Sequence, residues 1–156
     1  MGSPNTETPI EIKFITDEDR PAVLNFLKQF FFRDEPLNES MNLVGDDGVC
    51  LALEQFAMRS TVHAVSIMAT DPSGKILGIA LNNVKERGAQ LEEETDLLVH
   101  DEKFEKITTL LEYVDRECDV FGQYPDIDKQ LLIDIISVDS ACRGQGIAQK
   151  LMERTR

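Results

Sequence analysis

The feature that most constrains the fold is an apolar run that leads directly into a glycine-containing loop. Residues 131–138 are apolar apart from Ser137 and Asp134, and turn-forming residues bound them, which is typical of a buried strand. Gly144 and Gly146 follow within a short loop, and apolar residues at helical spacing begin immediately after them. The sequence therefore predicts a central strand, a glycine loop and the beginning of a helix.

A loop of this kind is suited to binding an anion. The first N–H groups of a helix have no intrahelical partner, and the helix dipole favours negative charge there. Because glycine has no Cβ, a phosphate can approach the backbone closely. Residues 141–156 contain four basic and one acidic side chain, a balance of +3, whereas the whole chain has a net charge of −13. A basic segment on an acidic protein favours a polyphosphate site, and the alternative is a tight turn without a ligand.

The spacing of the glycines distinguishes among the known kinds of phosphate-binding loop. Gln149 stands where a dinucleotide-binding loop has its third glycine, and the Gly-Lys-Ser/Thr of a P-loop is absent. Residues 143–148, Arg-Gly-Gln-Gly-Ile-Ala, resemble instead the acetyl-CoA signature of the GNAT acetyltransferases, Arg/Gln-x-x-Gly-x-Gly/Ala after a strand. The resemblance implies acetyl-CoA as co-substrate and an α/β (α+β) GNAT fold, a mixed central sheet flanked by helices. It also implies the following cofactor-binding residues: Ile136, Ser137, Val138, Arg143, Gly144, Gln145, Gly146, Ile147 and Ala148.

A second segment, residues 30–38, places two carboxylates directly after three phenylalanines and an arginine. Pro36 disfavours helix at the preceding residue, so a core helix should end near Asp34 and Glu35. A carboxylate against apolar walls loses hydration and becomes a better base near neutral pH; the alternative is that both carboxylates are solvated. The segment resembles Phe-Phe-Phe-Arg/Lys-Asp-Glu-Pro-Leu-Asn of the insect arylalkylamine N-acetyltransferases. The resemblance implies that Glu35 is the general base and leaves the role of Asp34 open.

The remaining patterns predict a single domain over residues 1–156, with residues 1–8 as a disordered tail. The GNAT fold continues beyond its cofactor helix, so the resemblance implies that the domain is truncated within that helix. Either the sequence is then a fragment, or another chain completes the sheet. The other predicted elements are a strand at 10–15, a helix from about 17 to 35, a helix at 47–58, a hairpin of strands 62–70 and 75–82, a polar loop over 84–103 and an amphipathic helix over about 104–120.

Composition and charge limit the classes of binding partner that the sequence predicts. A net charge of −13 argues against a nucleic-acid surface, and no apolar run approaches the ~20 residues of a membrane helix. The three cysteines are widely spaced and lack a Cys-x-x-Cys pair, which predicts neither a disulfide framework nor a metal site and suits a reducing cytoplasm. Phe30, Phe31, Phe32 and Tyr124 are candidates for an aryl pocket, although their spacing favours core packing.

The resemblance implies direct acetyl transfer to arylalkylamines such as dopamine, octopamine, tyramine or serotonin. A backbone N–H on the central strand, that of Val138, would polarise the thioester carbonyl. Three alternatives stay open: a GNAT enzyme for another amine class, polyamines or protein N-termini; a non-catalytic CoA-binding module; and an interaction domain that binds no CoA.

Overall fold

A computed structural model of the protein describes residues 9–61, 64–89 and 99–156. Within them, four strands form one sheet in the order β1-β2-β3-β4, and every neighbouring pair is antiparallel. The strands are β1 (Glu11–Phe14), β2 (Ile67–Thr70), β3 (Ile76–Glu86) and β4 (Lys129–Val138). The helices are α1 (Arg20–Gln29), α2 (Phe31–Asp34), α3 (Pro36–Ser40), α4 (Leu51–Arg59), α5 (Glu102–Cys118), α6 (Val120–Gln123) and α7 (Ile147–Thr155). This arrangement of sheet and flanking helices confirms the predicted α/β class.

The antiparallel pair of β2 and β3, joined by a turn at residues 71–74, confirms the predicted hairpin. One carboxylate oxygen of Asp71 accepts hydrogen bonds from the N–H groups of Ser73, at 2.9 Å, and Lys75, at 3.0 Å. Strand β3 is longer than predicted, however, because residues 84–86 pair with the beginning of β4. Glu86 and Lys129 close that end with an ion pair of 2.6 Å, so the polar residues that indicated a loop belong to a strand there.

The lone acidic residue within the apolar run lies at a β-bulge. Leu81 pairs with Ile135 and Asn82 pairs with Ile133, which leaves Asp134 as the extra residue on β4. The hydroxyl group of Ser60, directly after α4, donates to the Asp134 carboxylate at 2.8 Å. The prediction of a buried strand is wrong for most of β4, because only Ile135 and Ser137 of its ten residues are buried, while Leu131 and Ile136 are exposed.

Two apolar clusters pack on the sheet. One contains Val23, Phe26 and Leu27 of α1 together with residues of α4, α5 and the sheet. The other contains Ile147 and Leu151 of α7 packed against β2 and β3. Close approach of α7 requires a glycine, because a Cβ added at Gly78 would lie 2.9 Å from the Ile147 side chain. Helix α7 is thereby fixed directly beside the end of β4.

Three predicted helices have different bounds in the structure. The helix predicted from about 17 to 35 is interrupted at Phe30 and again at Glu35, whose backbone is extended as expected before proline. The helix predicted over 47–58 begins only at Leu51, because Gly45 and Gly48 adopt positive φ. Helix α5 begins at Glu102 and ends at Cys118, so its bounds are shifted by about two residues.

Parts of three predictions lie outside the described residues. They are the tail at 1–8, the first two residues of the strand at 62–70 and residues 90–98 of the acidic loop.

Candidate functional site

The two sequence motifs, about 100 residues apart along the chain, meet at one cleft of about 350 Å³. Its walls come from the α2–α3 junction, the end of β4 and the segment that leads into α7. The lining residues are Phe31, Asp34, Glu35, Pro36, Ile136, Ser137, Val138, Arg143 and Ala148. Six of the ten predicted site residues therefore line a common cavity.

Glu35 stands at the break between α2 and α3. Its Oε2 accepts a hydrogen bond of 2.8 Å from the N–H of Asn38 and so caps α3. The side chain of Asn38 is buried, and Phe32 just before the break is fully buried in the core. These anchors on both sides hold the Glu35 carboxylate in a defined orientation at the wall of the cleft.

Arg143 joins the two motifs directly. One terminal nitrogen of its guanidinium lies 2.6 Å from a carboxylate oxygen of Asp34, and its Nε donates to the Val138 carbonyl at 3.2 Å. The guanidinium therefore connects the segment of the predicted base to the last residue of β4. This contact gives Asp34 a structural partner that the sequence alone did not indicate.

The backbone at the end of β4 is oriented by its pairing with β3. The N–H of Asp139 donates to the Leu77 carbonyl at 2.9 Å, toward β3. Because N–H groups alternate in direction along a strand, the N–H of Val138 points toward the opposite edge. The Arg143 hydrogen bond to the Val138 carbonyl lies on that same edge. A donor N–H is thus available at the cleft wall.

The glycine loop has open space where side chains would stand. Gly144 and Gly146 have φ of +79° and +76°, and a Cβ added at either position meets nothing within 4 Å. The glycines are therefore required by backbone conformation, while the space beside them is free for a ligand. Gly146 directly precedes the nine-residue helix α7, whose first N–H groups need partners. This chemistry fits a pyrophosphate group.

Four predicted cofactor residues do not line the cleft: Gly144, Gln145, Gly146 and Ile147. They continue from it along the loop into α7. The Ile147 side chain is only 2% exposed and packs in the core, so this residue can offer a ligand only its main chain.

Sequence analysis missed two charged residues beside the loop, Asp139 and Lys75. Their side chains form an ion pair of 3.1 Å, and Asp139 is 5% exposed. Burial alone raises the pKa of Asp139, but the N–H of Ala141 and the Lys75 charge together lower it below its ordinary value. The only sequence signal was an acidic residue directly after an apolar strand.

Of the aromatic candidates, only Phe31 lines the cleft. Phe32 is fully buried, and Tyr124 is exposed at the other end of β4. Cys142 is partly buried and does not line the cleft either. In the described ranges, no group of three or more His, Cys, Asp or Glu residues is arranged to hold a metal ion, and no helix is long and apolar enough to span a membrane.

Comparison with known proteins identifies the family of the chain. No protein-family model matches the chain. Among solved structures, arylalkylamine N-acetyltransferase 2 from Aedes aegypti is similar with a TM-score of 0.84 and 37% identity, over 94% of this chain and 68% of that one. The mosquito arylalkylamine N-acetyltransferase like 5b has a TM-score of 0.78 and 22% identity, over 94% and 69% of the two chains. The Drosophila melanogaster polyamine N-acetyltransferase has a TM-score of 0.76 and 19% identity, over 94% and 68%, and shows the fold alone.

Acetyltransferases of the GNAT superfamily take their acetyl group from acetyl-CoA. The chain therefore belongs to the insect arylalkylamine N-acetyltransferases of the GNAT superfamily, and it is an enzyme that transfers acetyl groups to amines.

Proposed function

We propose that this enzyme acetylates arylalkylamines of the dopamine, octopamine, tyramine and serotonin class, with Glu35 as general base. One observation carries the proposal: Glu35, Val138 and Ala148 line the same cleft although they come from distant parts of the chain. A carboxylate and a backbone donor at one cavity are the two groups that acyl transfer to an amine requires.

Glu35 is the residue that would accept a proton from the amine substrate. An alkylamine at neutral pH is mostly protonated and cannot attack a carbonyl, so a base must accept its proton. The α3 cap occupies Oε2 of Glu35, and Oε1 accepts no hydrogen bond from the described part of the chain. We assign to Oε1 the removal of the proton, directly or through one water molecule.

The other residues hold and orient the acetyl donor. Acetyl-CoA supplies the acetyl group as a thioester when it is bound. The N–H of Val138 would donate to the thioester carbonyl, and the amides of residues 144–148 would hold the pyrophosphate. Ile136 and Ser137 form the adjoining wall, and Arg143 fixes the loop through its contacts with Asp34 and Val138. Transfer is direct, because none of the cleft-lining residues is an activated nucleophile.

The substrate class rests on the relatives. The Aedes aegypti enzyme, named for arylalkylamines, is 37% identical, whereas the polyamine enzyme is 19% identical. Phe31 adds an aromatic surface at the cleft. A panel of dopamine, tyramine, serotonin, agmatine and spermidine separates the substrate classes: the highest kcat/KM is expected for the aryl amines, and a preference for agmatine or spermidine would contradict this assignment.

The base is tested by Glu35→Gln with its neighbour Glu39→Gln as matched control. Both substitutions remove one carboxylate from the α3 region, but Glu39 is exposed and does not line the cleft. We expect Glu35→Gln to lower kcat at saturating amine about 10²- to 10⁴-fold, the usual contribution of general-base catalysis, and Glu39→Gln to leave it unchanged. Normal turnover by Glu35→Gln would refute the base assignment.

A further inference from the structure

Asp139, the first residue after β4, has all four of its polar groups engaged. Its N–H donates to the Leu77 carbonyl at 2.9 Å, and its carbonyl accepts from the N–H of Cys142 at 2.8 Å. In its side chain, Oδ1 accepts from the N–H of Ala141 at 2.8 Å, and Oδ2 lies 3.1 Å from Nζ of Lys75. Asp139 thus connects the end of β4, the first turn of the glycine loop and Lys75 of the β2–β3 hairpin.

Lys75 reaches Asp139 from an ordered turn. A backbone hydrogen bond closes the β2–β3 turn: the Asp71 N–H donates to the Lys75 carbonyl at 3.0 Å. The Asp71 carboxylate also accepts the Lys75 N–H at 3.0 Å. The position of the Lys75 backbone is therefore fixed, although its side chain is largely exposed. Asp139 raises the pKa of Lys75, so the lysine stays charged at neutral pH.

The glycine loop needs such an anchor. Gly144 and Gly146 both adopt positive φ, and glycine loses more conformational freedom on ordering than any other residue. A loop that is ordered before its ligand arrives avoids part of that entropy loss on binding. Asp139 holds the N–H groups of Ala141 and Cys142, which form the first turn of this loop. Its contacts consequently set the direction in which the loop leaves β4.

We propose that Asp139 is a positioning residue for the acetyl-CoA loop and that Lys75 holds its carboxylate in place. This role presupposes the acetyl-CoA loop of the proposed function. Asp139 is absent from the cleft lining and acts through the backbone of residues 141–146. Its loss should therefore weaken acetyl-CoA binding while the Glu35 chemistry continues once the donor is bound.

The test is calorimetric titration of acetyl-CoA into the 156-residue chain and its variants, together with initial-rate kinetics. Asp139→Ala removes both the hydrogen bond from the Ala141 N–H and the ion pair, and it should raise Kd about tenfold, the usual effect of a lost charged hydrogen bond. Asp139→Asn and Lys75→Met each remove the ion pair between the buried Asp139 and the largely exposed Lys75, and each should raise Kd about threefold. The double variant Asp139→Asn/Lys75→Met should equal either single variant, because both remove the same interaction.

Kinetics separate positioning from a merely structural role. The KM for acetyl-CoA should follow Kd, while kcat at saturating acetyl-CoA and the KM for the amine stay within about twofold of the wild type. Asp126→Ala is the matched control, because it removes an exposed carboxylate at the opposite end of β4. It should leave Kd unchanged.

Two outcomes overturn the proposal in different ways. A lowered melting temperature with wild-type Kd in Asp139→Ala, Asp139→Asn and Lys75→Met would show that Asp139 only stabilises the fold. If Asp139→Ala does not fold, the two milder variants decide by the same measure. If the wild-type chain itself binds no acetyl-CoA, the proposed function falls and this role falls with it.

Discussion

At the residue scale, Arg143 uses different nitrogens of one guanidinium for two contacts, to Asp34 and to the Val138 carbonyl. A lysine has a single charged nitrogen and cannot reproduce this fork. Arg143→Lys should therefore raise the KM for acetyl-CoA about three- to tenfold, a range lowered because the side chain is half exposed. Steady-state kinetics at saturating amine measures the effect. Arg154→Lys, an exposed position on α7, is the control, and equal KM values for both variants would contradict the bridging role.

Gly146 of the loop and Gly88, two residues after β3, allow backbone conformation and ligand binding to be tested separately. Gly146 has φ of +76° and Gly88 has φ of +73°, and neither has an atom within 4 Å of an added Cβ. Gly146→Ala and Gly88→Ala should each lower the free energy of unfolding by about 1 kcal/mol through backbone strain. Only Gly146→Ala should also weaken acetyl-CoA binding by calorimetry. Equal binding by both variants would remove the loop from the cofactor site.

Short motifs predicted the local backbone features of the candidate site. Glu35 beside Pro36 and the glycines before α7 are examples, because both are features of a single turn of chain. The sequence did not predict the partners of Asp34 and Asp139. Arg143 is 109 positions from Asp34, and Lys75 comes from a different hairpin, so only the folded sheet brings these charges together.

At the element scale, α5 shows how far a periodic pattern can be used. An amphipathic helix was predicted from the helical spacing of Phe104, Ile107, Leu111, Val114 and Cys118. On that face only Phe104 and Ile107 are buried. Helical spacing tells which residues share a face, whereas burial depends on how far the opposing surface extends. Here Phe104 packs edge-on against Phe56 of α4, with ring centres 5.5 Å apart, while Leu111 and Val114 remain exposed.

This difference within one helix face can be measured. Ile107→Ala removes buried methyl groups and should lower the free energy of unfolding by about 2–5 kcal/mol. Leu111 is 46% exposed, so Leu111→Ala should change that free energy by no more than about 0.5 kcal/mol. Urea unfolding of the two variants gives both values. Equal losses would mean that the whole stripe is buried in solution.

Arg87 connects the end of β3 to the segment that leads into β4. Its guanidinium donates to the carbonyls of Phe121, Tyr124, Pro125 and Ile127, at 2.9–3.1 Å. Arg87→Met should therefore lower the free energy of unfolding by about 2 kcal/mol, since several carbonyls lose a charged donor. Arg116→Met is the control, because among the described residues that guanidinium contacts the Tyr113 ring, at 5.5 Å from its centre, and its loss should cost no more than about 1 kcal/mol. Urea unfolding compares them, and equal losses would contradict a linking role for Arg87.

At the scale of the whole molecule, paired charges set the pH range of stability. Hydrogen bonds from Thr16 to Asp19 and from Ser73 to Asp71 lower the pKa of each carboxylate below the ordinary value of 3.8. The pKa of Asp139 is also lowered, while Glu86 raises the pKa of Lys129 above 10.5. Carboxylates whose pKa is lowered by folding stabilise the folded chain above their unfolded pKa. They cease to do so as pH falls through the folded pKa. Lysines whose pKa is raised by folding stabilise the folded chain below about pH 10.5. They cease to do so as pH rises through the folded pKa.

The net charge of −13 acts in the opposite direction on acidification, because protonation relieves repulsion among the acidic groups. At about 0.15 M salt, charges more than about 8 Å apart are largely screened, whereas contacts near 3 Å are not. We therefore expect the free energy of unfolding, measured in urea at that salt concentration, to be nearly constant from about pH 5 to about pH 10 and to fall below about pH 4. Asp139→Asn lacks one lowered carboxylate, so its stability should fall less steeply there than that of the wild type. Parallel acid limbs for the two proteins would show that the Asp139 ion pair does not contribute to stability, and stability that rises below about pH 4 would show that net repulsion outweighs the local contacts.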